Sequence, residues 1–201
     1  MALEVNLAFA LAPLPSPPPA ADDPVALLAS GDAEGALTAW TAKLRTAVSP
    51  ELACRGRAGV LLAIAEIAPW LDDARFHTAI ADLARAAGAL SPAAGRACVA
   101  PVSETIKAFT RARGQPYGGH PATHVWLERY EAALPLAPYL DDGPVLRWYH
   151  AQALFNTARR AEGMALLEKL AWDPKIGVAV TQKLEQRRRS PTEPISDSCT
   201  D

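Results

Sequence analysis

The sequence predicts an all-α protein: antiparallel helical hairpins stacked as a short solenoid, with a compact helical bundle as the alternative arrangement. Three observations carry this. Pro24, Pro50, Pro92, Pro101, Pro121, Pro144 and Pro174 each open an Ala/Leu-rich segment, and Asp23, Ser49, Ser91 and Asp173 stand in capping positions before four of them. Proline costs about 3 kcal/mol inside a helix but almost nothing at its first position. No segment alternates like a strand, and β-branched residues never cluster. Alanine at many positions keeps helix propensity high and lets helices approach closely.

The elements follow in order. Residues 1–23 read as a disordered Pro/Ala-rich arm. Within it, Leu7 to Leu14 is a short apolar run in which Ala8-Phe9-Ala10 and Ala10-Leu11-Ala12 look like cleavage sites. No Lys or Arg precedes the run and Glu4 stands where positive charge belongs, so a signal peptide requires a mis-set start. Pro13 to Pro19 suits an extended spacer. The helical domain spans 24–188. Pro24 to Ser30 makes a short helix that Gly31 ends, and Ala33 to Val48 makes the next, with Ala36, Leu37, Trp40 and Leu44 on one face. Pro50 to Ala68 carries Leu61, Ile64 and Ile67. Asp73 to Ala87 is the clearest amphipathic segment: Phe76, Ile80, Leu83 and Ala87 share a stripe, and Gly88 supplies a stop.

Pro92 to Val99 and Pro101 to Arg113 form one broken helix or two, the second with Val102, Ile106 and Phe109 aligned. Gly114 to His120 is a loop. Pro121 to Leu134 stacks Trp126, Tyr130 and Ala133, and Pro135 to Gly143 is an irregular connector. Pro144 to Thr157, Ala161 to Ala171 and Pro174 to Arg188 complete the set. Residues 189–201, rich in Ser, Thr, Asp and Glu, read as a solvated tail.

Ser30-Gly31-Asp32-Ala33-Glu34-Gly35-Ala36-Leu37-Thr38-Ala39-Trp40 resembles the turn and second helix of a tetratricopeptide repeat. Ala36 takes the place of the small residue at the helix crossing, and Trp40 that of the large residue four positions on. Tyr149 to Leu167, continuing through Leu170-Ala171-Trp172-Asp173-Pro174, looks similar, with Ala161-Glu162-Gly163 matching Ala33-Glu34-Gly35. The two units are not a whole number of repeat lengths apart, Arg159-Arg160 replaces the Gly-Asp turn, and the likeness covers about a third of the chain. What it implies is a stack of helix pairs, each burying its apolar stripe on the next, with a surface that binds a protein or peptide.

Candidate chemistry is sparse. His120, His124 and Glu128 recur every fourth residue, a spacing that lets one helix face grip a metal. They would centre a small helical enzyme or metal protein, the alternative to an interaction module. His120 precedes Pro121, which suits an N-cap better, so no metal, cofactor or catalytic residue is expected. Asp72-Asp73 and Asp141-Asp142 precede helices and suit capping. His77 and His150 have no visible partners, and His77 reads as a surface residue beside Phe76. Phosphate loops and nucleophile elbows are absent. Among the aromatics of the second half, most of which should be core, Trp126, Tyr130 and Trp148 are the expected partner anchors wherever exposed, with Arg129 and Arg147 as rim charges.

Composition bounds the rest. The 201 residues are 50% hydrophobic, enough for one real core. Twenty basic and 22 acidic residues give a net charge of −2, which argues against nucleic acid as partner. No stretch is long enough to span a bilayer. Cys54 and Cys98 fall in expected helices and read as small buried apolar side chains that would pair in an exported protein; Cys199 lies in the tail. A cytoplasmic setting is favoured, with a periplasmic or secreted one if the N-terminus acts as a signal.

Overall fold

A computed structural model describes residues 23–67, 74–110 and 123–189, and no strand occurs among them. The helices are α1 (Pro24–Ala29), α2 (Ala33–Arg45), α3 (Pro50–Ile67), α4 (Ala74–Gly88), α5 (Pro92–Val99), α6 (Ser103–Thr110), α7 (Thr123–Ala133), α8 (Gly143–Phe155), α9 (Arg160–Leu170) and α10 (Gly177–Arg189). The all-α expectation holds. The N-terminal arm, Asp72-Asp73, the Gly114 to His120 loop, Pro121 and the C-terminal tail lie outside the described residues.

The proline punctuation is borne out at four helix starts. Pro24 and Pro92 sit in the first turns of α1 and α5, behind Asp23 and Ser91, whose side chains accept from Val25 N and Ala94 N. Pro50 opens α3 behind Ser49, whose Oγ accepts from Leu52 N at 3.2 Å. Pro144 lies in the first turn of α8. Gly31 turns the chain between α1 and α2 at φ 86°, a left-handed conformation that favours glycine. Asp32 then caps α2 through Gly35 N at 2.8 Å.

Four boundaries differ from expectation. Pro101 falls within a 3₁₀ turn over Ala100–Val102 that separates α5 from α6, because it cannot donate the bond a continuous helix needs there. The connector after α7 is a 3₁₀ helix, Leu134–Tyr139. Pro174 does not start a helix: Asp173 Oδ1 accepts from Lys175 N and Ile176 N, closing a turn, and α10 begins only at Gly177. Gly88 is the last residue of α4 rather than a stop beyond it. Asp142, expected to cap, stands at the N-cap of α8 without capping it; its carboxylate instead meets Lys107 Nζ of α6 at 3.1 Å. The hydrogen bonds that Lys107 donates to Glu104 and Asp142 hold its ammonium above its ordinary range.

Two cores result. The larger runs from Cys54 in α3 to Leu154 in α8 and includes Leu61, Phe76, Ile80, Leu83, Ile106, Phe109 and Leu136. The stripe read in α4 is buried in full. Cys54 and Cys98 are buried within this core, as expected, but they are not separate thiols: a disulfide joins α3 to α5. The smaller core lies between α8, α9 and α10 and is built on Trp148, Ala151, Phe155, Leu167, Leu170, Val180 and Leu184. Tyr149 and Leu166 pack against both and form the seam.

Candidate functional site

The link Asn156–Arg159 turns the chain from α8 back along α9. Gly163 sets how closely the two helices meet. A Cβ there would lie 2.7 Å from Ala151 O and 2.6 Å from Phe155 N, so the approach of α9 to the α8 backbone requires glycine. This crossing, with the start of the 3₁₀ helix Leu134–Tyr139 beside it, leaves a groove of about 540 Å³. Leu134, Leu166 and Leu170 give it an apolar lining, and Trp172 and Pro174, from the turn after α9, line it as well. Arg147, His150, Lys169 and Asp173 bring its polar groups.

Trp172 is 89% exposed and also lines a second, smaller groove of about 390 Å³, with Ala171, Thr181, Leu184, Glu168, Glu185 and Arg188. It is therefore a ridge between two hollows. A tryptophan carries a large apolar surface, and leaving it in water forgoes burial worth about 2 kcal/mol or more.

The electrostatics behind the larger groove are layered. Arg159 donates to Glu131 of α7 and to Glu162 of α9, tying the two helices across the link. The Arg159 guanidinium holds the Glu162 carboxyl below its usual range, and the two carboxylates raise Arg159 in return. His150 sits 6% exposed in the groove wall. Its Nε2 has no hydrogen-bond partner and stands 3.8 Å from Glu131 Oε1, too far for one. Burial pushes the imidazole below its ordinary 6.5, against the opposing pull of Glu131. Arg147 and Lys169 are exposed and take part in no ion pair among the described residues. The lining offers two cations, an imidazole, one carboxylate and apolar surface.

The expected anchors stand elsewhere. Trp126, Tyr130 and Trp148 are 9%, 2% and 4% exposed, so they fill the cores and offer no face to a partner. The cause is the stripe that made them conspicuous: Trp126 and Tyr130 share the α7 face turned to the larger core, where Tyr130 stacks on Tyr149 at 6.2 Å. Arg129 is buried too, with its guanidinium over the rings of Trp126 at 4.8 Å and Phe109 at 5.4 Å, so it is no rim charge. Arg147 alone of the expected partner residues lines the groove. For the metal alternative, His120 and the side chain of His124 lie outside the described residues, and Glu128 is exposed. No cluster of metal-ligating side chains occurs among the described residues. His77 is half-buried, edge-on to Phe109 at 5.5 Å, so it is less of a surface residue than expected.

Sequence reasoning passed over Trp172, His150 and Lys169. Trp172 was legible: it follows α9 and precedes Asp173-Pro174, off every apolar stripe, which is where an exposed aromatic stands. His150 lies four residues from both Leu146 and Leu154, on the buried face of α8, and that spacing signals burial. No helix among the described residues is long and apolar enough to cross a membrane. No protein-family model, curated protein or solved structure matches this chain.

Proposed function

We propose that the chain is a non-catalytic protein-interaction or assembly module built on stacked helical hairpins of the tetratricopeptide-like kind, and that it docks its partner over the Trp172 ridge. One observation carries the reading: a tryptophan 89% exposed between two grooves with apolar linings. Exposed tryptophans beside pockets are the residues that dominate binding energy when a partner covers them. The order of packing supports the hairpin part, since successive helices pack on one another from α1 through α5 and from α6 through α10. The Cys54–Cys98 bond favours an oxidising compartment over the cytoplasm, because buried disulfides form and persist where thiols oxidise.

The test is affinity capture with the full chain and its Trp172→Ala variant. The variant keeps its thermal midpoint, because the side chain packs on little, and its partner is lost or falls by about tenfold or more. Equal capture by both proteins overturns the ridge as the docking site.

A further inference from the structure

We infer that the larger groove takes an acidic peptide segment that sets one large apolar side chain beside its carboxylates. The inference rests on the interaction-module reading above and names the chemistry of the partner. Charge complementarity carries it. Arg147 of α8 and Lys169 of α9 come from the two helices of the crossing, both exposed, and neither is paired with a carboxylate among the described residues. Lys107, Arg85 and Arg159 have acidic partners, while Arg45, Arg55 and Arg96 are exposed and unpaired among the described residues as Arg147 and Lys169 are; what sets the latter two apart is that both line one apolar hollow. Asp173, the groove's own carboxylate, accepts two backbone N–H groups from the following turn through Oδ1 and keeps its negative charge, so two cations face one carboxylate in the lining.

The chain as a whole is slightly acidic, with a net charge of −2, whereas the groove that Leu134 and Leu170 line carries two cations against the one carboxylate of Asp173, a local excess of positive charge. The smaller groove lacks this bias, because Glu168 and Glu185 face Arg188 there. The apolar side chain of the segment lies on the leucines against Trp172. Its flanking carboxylates pair with Arg147 and Lys169 as charge-assisted hydrogen bonds.

The experiment uses the full chain with its disulfide intact and fluorescence anisotropy of a labelled peptide with Glu-Asp-Leu-Asp-Glu at its centre. The control carries lysine in place of each acid. The acidic peptide binds saturably, weakens as salt rises, and weakens by about tenfold or more with Arg147→Glu/Lys169→Glu, while the lysine peptide binds only that variant. Both substitutions are at exposed positions, and an unchanged thermal midpoint shows that the variant is folded. Equal binding of the two peptides, or no binding of the acidic one, overturns the inference. So does saturable binding of a free fatty acid by a chain that ignores the acidic peptide. If the acidic peptide fails while Trp172-dependent capture persists, the partner chemistry is wrong and the interaction module stands; if both fail, both readings fall.

Discussion

The two cores of the molecule are built differently. The larger one, from α3 to α8, is dense with aliphatic and aromatic side chains and is locked by a covalent bond between α3 and α5. The smaller one, between α8, α9 and α10, has few buried side chains and no covalent tie, and beside it lie both grooves, the ridge and the buried His150, whose Nε2 has no hydrogen-bond partner. Binding surfaces are commonly drawn from the less stable parts of a fold. Here the proposed docking surface lies on the region without the covalent tie.

The largest expected effect falls on the larger core. The disulfide closes a loop of 44 residues, and chain-entropy arguments value such closure at about 4 kcal/mol. Cys54→Ala/Cys98→Ala should lower stability by about that much, read from the urea midpoint. Hydrogen exchange should show the loss concentrated in α3 to α5. A loss spread evenly over α8 to α10 would mean that the two regions unfold as one, and the contrast would be one of composition only.

A pair of glycine substitutions sharpens the contrast at intermediate size. A Cβ on Gly59 of α3 would meet the Trp40 ring of α2, and Trp40 is only half-buried, so it can swing aside. A Cβ on Gly163 would meet α8 backbone, which cannot. Gly163→Ala should therefore cost about 2 kcal/mol by forcing α9 off α8, and Gly59→Ala less. Gly163→Ala should also change the groove, so binding over Trp172 weakens with it. Urea unfolding of the two variants checks the order, and the reverse order would place the tighter crossing in the larger core.

These same places show what the sequence could reveal. The helices and their faces were legible because each depends on local spacing: Phe76, Ile80, Leu83 and Ala87 line up on any helix, and all four are buried. The disulfide was not, because the Cα atoms of Cys54 and Cys98 come within 6.1 Å only after α3, α4 and α5 have packed. The groove failed for the same reason. Arg147 and Lys169 sit on different helices, and the α8–α9 crossing alone puts them on one hollow. The aromatic anchors misled because a large aromatic on a regular stripe is a core residue first. Trp172, off every stripe, was the better signal.

The smallest effect concerns pH and reaches only the region of α8 and α9. Burial holds the folded imidazole of His150 below 6.5, while Glu131 opposes that shift and Arg159 adds to it. The unfolded chain therefore binds the proton more readily than the folded one. Its contribution is fully present above about 6.5 and is lost as pH falls from there toward the lower folded value, the reverse of a histidine that gains a salt bridge. Urea midpoints between pH 8 and pH 5 should fall for the wild-type chain and fall less steeply for His150→Gln. The disulfide holds α3 to α5, so hydrogen exchange at mildly acid pH should quicken in α8 and α9 before α3 and α5. Equal slopes for the two proteins would mean that the imidazole is solvated in both states. The smaller core would then differ from the larger in packing and covalent closure alone, with acid acting on both alike.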